Sequence, residues 1–358
     1  MSPEFKTIYA VIITAIVVGA VVGAVVYLTR PKAPAAPKVL KVHIVLYGFH
    51  DEGLWDPQLY ECLVEAVMEL ESEGYHFDIT MSEDVKEEAA AGVLELAAKE
   101  NDIVFASTCV YDAALRQVAP NYPDVYFIIE SDPIGKNPME IISADEYPNN
   151  VILIGPGSLE VNYVIGALAA KVALKDFGEG AKFGFIQALD LPIAVHTGAM
   201  FRLGVQSVIP DAEVMRDIMG DFVNPVKCRS SIATMAAAGA KVIFIEQDDT
   251  SGILECIDQD IYCIPSYKDI TEMDADHILC CSIWNWTPGL YEILKAVADG
   301  TWDDLRSTKW YWELTLANGG QGLGTFGNMV TPELEDFVND LIYNITHGII
   351  ELPYLDTW

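Results

Sequence analysis

The chain has 358 residues, of which 51% are hydrophobic, and this is enough for two or three lobes with large cores, so disorder is excluded as its main state. It carries 21 Lys and Arg against 53 Asp and Glu, a formal net charge of −32. A field of this sign repels phosphate backbones, so we expect no nucleic-acid partner.

The first predicted element is a membrane anchor. Residues 7–28 form an uncharged apolar run of 22 residues. A helix of that length crosses a hydrocarbon layer of about 30 Å. A cleaved signal peptide and a buried core helix are the alternatives, but the residues that follow Leu28 do not resemble a cleavage site. The sequence RPKAPAAPK then predicts a semi-rigid spacer, so residues 1–38 are expected to be an anchor and a Pro/Ala-rich linker.

The body alternates strand-like apolar runs with amphipathic helical segments, which predicts an α/β fold with parallel sheets flanked by helices. The predicted strands are residues 42–48, 76–81, 102–108, 125–131, 151–157, 182–189, 212–220, 241–249, 261–267 and 277–288. The main predicted helices are residues 56–74, 86–101, 159–176, 291–300 and 334–349. Two halves of this kind in series predict two lobes with a ligand cleft between them.

The lobes are expected to exchange chain three times, near Gly155, Asp269 and Thr325. The first lobe is then predicted to contain residues 39–154 plus about 270–325. The second is predicted to contain residues 155–269 plus about 326–358.

The minimal motifs of several enzyme classes are missing from the sequence. It contains no GxxxxGK[ST], HExxH or GxSxG pattern, and its six histidines do not have the spacing of metal ligands. We therefore expect no catalytic residues, no metal site and no cofactor.

Aromatic and acidic residues follow the ends of the predicted strands, where open α/β sheets bind their ligands. The candidate ligand-binding residues are Asp51, Trp55, Asp56, Tyr111, Asp112, Phe222, Asp248, Asp269, Trp284 and Trp286. Aromatic faces stack on planar rings, and carboxylates accept hydrogen bonds from a diol or from ring N–H groups. The alternative for each acid is that it caps the helix that follows.

At these residues the chain resembles the basic membrane protein family, which comprises substrate-binding proteins of ABC importers. The resemblance covers about residues 41–330 and is strongest in NYPDVYF, in MFRLGVQSVIPDAEV and in SIWNWTPGLYEILKAVADGTW. It implies a two-lobed type I periplasmic binding protein fold. Characterised members bind purine nucleosides, and the WNW segment is most similar to the purine-binding branch.

The resemblance also implies roles for individual residues. Trp55 falls at the aromatic position of the first turn, and Asp56 stands where Asn is usual. Asp112 corresponds best to a base-reading acid and Asp269 to the sugar-binding acid, while Trp284 stands where many members carry Lys. The stacking aromatic of the second lobe has two candidates, Phe222 and Phe201.

The leading hypothesis is a membrane-anchored receptor that closes on a purine nucleoside or related purine and delivers it to ABC permease subunits. The positive-inside rule favours a cytoplasmic body, because Arg30, Lys32 and Lys38 follow the apolar run whereas Lys6 precedes it. We expect the body on the extracellular side of the cell membrane, because it resembles exported proteins. The alternatives are a cell-surface or filament subunit and a nucleoside-processing enzyme.

Overall fold

Two β-sheets, each with a hydrophobic core on both faces, organise the chain. The computed structural model describes residues 38–133, 143–355 and 357–358. Val39–Trp358 make up one compact unit. No helix within the described residues is long and apolar enough to cross a membrane. The predicted anchor, residues 7–28, lies outside them.

The strands and helices alternate along most of the chain, as expected from the sequence pattern. The strands are β1 (Val39–Val45), β2 (His76–Ser82), β3 (Ile103–Ala106), β4 (Tyr126–Glu130), β5 (Val151–Pro156), β6 (Lys182–Gln187), β7 (Val214–Ile218), β8 (Ala240–Ile245), β9 (Tyr262–Tyr267), β10 (Ser282–Trp284), β11 (Tyr311–Leu314) and β12 (Gln321–Leu323). The helices are α1 (Trp55–Ser72), α2 (Glu87–Glu100), α3 (Asp112–Val118), α4 (Glu160–Phe177), α5 (Pro192–Val208), α6 (Pro225–Ala237), α7 (Ser251–Asp258), α8 (Thr287–Asp299), α9 (Trp302–Thr308) and α10 (Pro332–Thr346).

The first sheet has the strand order β11-β5-β4-β3-β1-β2, and all its strands are parallel. Side chains alternate between its faces: Leu40, Val42 and Ile44 of β1 enter one core, and Val45 enters the other. Burial on both faces explains why these strands are almost continuously apolar.

The second sheet has the order β12-β10-β9-β8-β6-β7. Its strands are parallel except for β12, which pairs with β10 in the antiparallel direction. The α/β architecture with parallel sheets flanked by helices is therefore confirmed. In both sheets the connections place the carboxyl ends of the parallel strands at one edge, where ligands of such folds bind.

The strand pairing differs from the predicted division of the chain in one segment. Residues about 270–325 were expected in the first lobe, but Ser282 and Ile283 of β10 pair with Ser266 and Tyr267 of β9. Strand β10 thus extends the second sheet before the chain leaves it. Helices α8 and α9 then pack into a core of the first sheet, and β11 joins that sheet. The chain crosses after β10 rather than near Asp269, and the rest of the predicted division stays a prediction.

Candidate functional site

A cavity lies between the carboxyl ends of the two sheets. Its empty space is about 520 Å³, a figure that includes space open to solvent. A smaller cavity with about 310 Å³ of empty space shares four lining residues with it, namely Trp55, Thr108, Phe222 and Tyr267. Each of the two cavities is lined by residues from both sheets, so a molecule bound here touches both lobes.

Trp55 is the centre of an aromatic group at this cavity. Its ring lies edge-to-face against Tyr267, Trp284 and Trp286, with centroid distances of 4.9, 5.3 and 5.1 Å. The indole Nε1 donates a hydrogen bond of 3.0 Å to the carbonyl oxygen of Ser107. Aromatic pairs prefer this geometry, so the ring is held in place before any ligand arrives.

Phe222 supplies a second aromatic surface from the loop after β7. It lines both cavities, and its ring packs edge-to-face against Tyr47 at 5.4 Å. Phe201, the other candidate for the second-lobe aromatic, is fully buried on α5 and packs against Phe244 in the core. The structure therefore brings Phe222 to the cavity and keeps Phe201 away from it.

Tyr267, the last residue of β9, has an unusual backbone. Its φ angle is +82°, in the left-handed region, although it is not a glycine. Residues held in this region cost free energy and are found preferentially at functional sites. The conformation places a ring that lines both cavities.

Two aspartates line the smaller cavity. Asp56 is 1% exposed; its Oδ2 accepts a 2.6 Å hydrogen bond from the backbone N–H of Gly48, and its Oδ1 has no partner among the described residues. Burial raises the pKa of Asp56 to about 6 and that of Asp248 to about 7. Asp248 Oδ1 accepts hydrogen bonds of 2.5 and 2.6 Å from the backbone N–H groups of Leu54 and Trp55.

Two glutamates also line the larger cavity: Glu246, which belongs to the same acidic strand end as Asp248, and Glu130, which was not among the candidate residues. Glu130 ends β4, and Glu246 follows β8 and accepts a 3.4 Å hydrogen bond from the backbone N–H of Ala188. Burial raises the pKa of both carboxyls, with the charge of Asp132 adding to the rise at Glu130, and that of Glu246 reaches about 8. Each glutamate stands at the end of an apolar run, so the expectation that ligands bind at the carboxyl ends of strands points to both residues.

Several candidate residues lie away from the two cavities. Asp51 is exposed. Tyr111 is fully buried, and its hydroxyl donates to the carbonyl oxygen of Val85. Asp112 forms an ion pair of 2.7 Å with Arg116 one turn along α3. The structure does not bring these side chains to the aromatic group.

Asp269 and Trp286 also lie outside the cavity lining. Asp269 Oδ2 accepts hydrogen bonds of 2.7 Å from both the backbone N–H and the hydroxyl of Thr325, and its Oδ1 accepts one of 3.1 Å from the backbone N–H of Thr271. These are the contacts of a loop-capping carboxylate. Trp286 is fully buried and supports the ring of Trp55 from behind the wall.

One group of side chains has the composition of a metal site. Ligand atoms of His50, Asp51 and Glu83 lie within 4.8 Å of one another. The 2.7 Å contact between His50 Nδ1 and Glu83 Oε1 accounts for most of this proximity, because it is a charge-assisted hydrogen bond. The bond to Glu83 raises the pKa of His50.

Residues 43–354 match the model of a family described as ABC transporter substrate-binding protein, PnrA-like, or Bmp. The chain belongs to this family. The resemblance noted from the sequence is confirmed. The Bmp family consists of extracytoplasmic solute-binding proteins of ABC transporters and not of enzymes.

Individual relatives agree with this assignment. A purine-binding protein of Brucella abortus is 26% identical over 299 residues, which cover 83% of this chain and 78% of that protein. A protein of Haloferax volcanii, provisionally named an ABC transporter glucose-binding protein, is 23% identical over 237 residues, which cover 66% of this chain and 55% of that protein.

Solved structures of solute-binding proteins share the fold. One from Aeropyrum pernix superposes with a TM-score of 0.71 at 18% identity, covering 88% of this chain and 94% of the other. One from Conexibacter woesei has a TM-score of 0.67 at 21% identity, covering 88% of this chain and 99% of the other. At these identities the superpositions show the fold alone. They support the two-lobed periplasmic binding protein architecture that the resemblance implied.

Proposed function

We propose that this Bmp-family protein binds a purine nucleoside or a related purine in the cavity between its lobes and delivers it to the permease subunits of an ABC importer. The observation that carries the proposal is a set of aromatic rings from both lobes around one cavity, namely Trp55, Phe222, Tyr267 and Trp284. Stacking of a base on an aromatic side chain contributes about 1–3 kcal/mol. A planar base is therefore the chemical group that this wall fits best.

The side chains that line the cavity favour a nucleoside over a nucleotide. Carboxyl groups of Glu130, Asp132 and Glu246 line the larger cavity, and those of Asp56 and Asp248 line the smaller one. None of the described residues that line either cavity is Lys, Arg or His. Phosphate sites are normally built from Arg, Lys or clustered backbone N–H groups. A ligand with hydroxyl and N–H donors suits this wall, whereas the described lining residues offer no cation to bind a phosphate.

The ligand can be tested directly. Mass spectrometry of the small molecules that copurify with residues 39–358 is expected to find a purine nucleoside or base. In calorimetric titrations adenosine, guanosine or inosine should bind without being cleaved, whereas glucose and adenosine monophosphate should not. Binding of glucose alone would contradict the proposal, and so would the release of free base and ribose from a nucleoside.

The aromatic wall offers a matched pair of variants. Trp55→Ala should weaken nucleoside binding by about 1–3 kcal/mol, or about 5- to 150-fold. Trp310→Ala removes another partly buried Trp, one that packs against Tyr147 in the first lobe outside the cavity, and should leave affinity unchanged. Equal losses of affinity in both variants would mean that folding rather than stacking is affected.

The proposed anchor through residues 7–28 has its own test. The full-length chain is expected in the membrane fraction and a chain that begins at Val39 in the soluble fraction. Protease added to intact cells should digest the body if it faces the extracellular side. Protection of the body would instead support the cytoplasmic orientation that the flanking cations favour.

A further inference from the structure

We propose that Glu246 binds the ligand as a neutral carboxylic acid and donates a hydrogen bond to an acceptor atom of the purine. This inference rests on the proposed function and specifies the chemistry of the same site. Its consequence is that ligand affinity falls at alkaline pH.

The two carboxyls face one cavity from different sheets. Glu130 ends β4 of the first sheet, and Glu246 follows β8 of the second. They are 5% and 6% exposed, and both line the larger cavity. The small surface that each retains is therefore surface that a bound molecule contacts.

Neither carboxyl forms an ion pair with a Lys, Arg or His of the described ranges. Glu130 makes no side-chain hydrogen bond or ion pair with any described residue, and the charge that acts on it among these residues is that of Asp132. Arg216 exerts only a weak attraction on Glu246, because its guanidinium forms an ion pair of 3.2 Å with Asp190. Burying an unpaired carboxylate is strongly unfavourable, and retaining a proton removes that cost.

The other described groups around the two glutamates do not supply a positive charge. Asp248, Tyr267, Cys109 and Tyr311 are the other described titratable side chains near them, and none of them carries a positive charge. The hydroxyl of Thr197 and the backbone N–H of Ala188 lower the pKa of Glu246, but by less than burial raises it. Desolvation therefore dominates, and the pKa of Glu246 lies at about 8.

A protonated carboxyl also adds a hydrogen-bond donor to a wall that has few of them. A purine presents carbonyl or ring-nitrogen acceptors, which require donors. The lining offers few side-chain donors besides the hydroxyls of Thr108, Ser131 and Tyr267, and the indole N–H of Trp55 is already bonded to a carbonyl oxygen. An apolar site can keep a carboxylic acid neutral so that it donates a hydrogen bond, as in ketosteroid isomerase, a known example of this behaviour.

The test is the pH dependence of affinity in the wild type and in Glu246→Gln. Adenosine, guanosine and inosine are titrated at pH 6.5, and the tightest binder is then followed to pH 9.5. Wild-type affinity should be constant below about pH 7 and should fall about tenfold per pH unit above the pKa of Glu246, as expected for the loss of one required proton. The amide of Gln keeps a donor and cannot ionise, so the variant should bind within a few fold of wild type at pH 6.5 and vary less with pH.

Two controls separate this effect from others. Glu313→Gln removes a partly buried acid whose pKa is also raised but which does not line either cavity, so it should keep the wild-type pH profile. Any titration of the base itself is common to all variants. Thermal melts at each pH establish that the proteins are folded.

The outcomes are distinct. A pH-independent wild type, or a Glu246→Gln variant with the wild-type profile, would overturn the role of Glu246 and leave the proposed function intact. A complete lack of nucleoside binding at pH 6.5 would overturn the proposed function itself. Glu246→Ala, which has no donor, should bind at least about tenfold more weakly than Glu246→Gln at pH 6.5.

Discussion

The carboxylate of Asp248 caps the helix that begins at Trp55, with its Oδ1 2.6 Å from the backbone nitrogen of Trp55 and 2.5 Å from that of Leu54. Leu54 occupies the position that normally provides the cap and has no side-chain oxygen. Asp248 follows β8 of the second sheet, whereas the helix packs on the first. Gly53, with φ +86°, allows the close approach, because a Cβ there would lie 2.8 Å from Asp248 Oδ1. This contact joins the lobes without a ligand.

Loss of this inter-lobe cap should open the protein. Asp248→Ala is expected to lower the free energy of unfolding by about 0.5–2 kcal/mol, the usual cost of removing an N-cap. It should also increase the radius of gyration of the ligand-free protein in small-angle scattering. Asp249→Ala is the control, because Asp249 Oδ1 accepts a hydrogen bond from the Ser251 N–H within its own loop. The same radius of gyration in both variants would argue against a role of Asp248 in closure.

The buried acids of the cavity predict how stability depends on pH. The pKa values of Asp56, Asp248 and Glu246 are raised from 3.8, 3.8 and 4.5 to about 6, 7 and 8. The folded protein therefore holds protons that the unfolded chain releases, so their contribution is complete below about pH 4 and is lost as the pH rises to about 8. Thermal melts between pH 4.5 and 9 should show this decline. Glu246→Gln should reduce its slope, and an unchanged slope would mean that Glu246 ionises normally.

His196 predicts a change of opposite sign at acid pH. It is buried, and its Nδ1 accepts a hydrogen bond from the Leu355 N–H while Nε2 bonds to the Ser158 carbonyl oxygen, both at 3.1 Å. Burial lowers its pKa from 6.5 to about 4. Protonation removes the acceptor, so the stability it contributes is present above about pH 6.5 and is lost as the pH falls to about 4.

Hydrogen exchange can locate this acid effect. Residues 352–355 should exchange faster at pH 4.5 than at pH 7 after correction for the intrinsic rates, while the strands of the sheets remain protected. His196→Gln keeps a donor and an acceptor without the proton and should abolish the difference. Equal acid sensitivity of the variant would show that another group controls the segment.

Asp269 distinguishes a loop cap from a sugar-binding acid. Its three hydrogen bonds to Thr325 and Thr271 lead us to expect that Asp269→Ala lowers stability by about 0.5–2 kcal/mol and leaves nucleoside affinity nearly unchanged. Calorimetric titration and thermal melts on the same samples measure both. A loss of affinity without a change in melting temperature would instead support the sugar-binding role implied by the family resemblance.

The positions of strand ends were predictable from the sequence, and the directions of side chains were not. Trp55, Phe222, Asp248 and Trp284 lie at the cavity because parallel strands place their carboxyl ends at one edge. Tyr111 follows a strand in the same way, but its ring turns into the core toward Val85. A pattern of residue types cannot distinguish these two directions, because the difference depends on packing partners far away in sequence.

The local sequence pattern also could not predict which sheet contains β10. The strand has only three residues, and both sheets could in principle accept it; its pairing with Tyr262–Tyr267 is a long-range property. Glu130 was missed for a related reason. In the sequence Glu130 is the last residue of a buried strand. Only the position of the second sheet shows that its side chain lines a cavity.

The affinity for a ligand depends on how easily the links between the two sheets bend. The chain passes between the sheets at residues 157–159, 285–286 and 315–320, and a lobe motion on ligand binding would have to bend these links. The free energy of bending these links is subtracted from the contact energy for every ligand alike. Stiffer or looser links would therefore scale the affinities of all ligands together and leave their ranking unchanged. The selectivity among ligands and the overall affinity are thus determined by different parts of the chain.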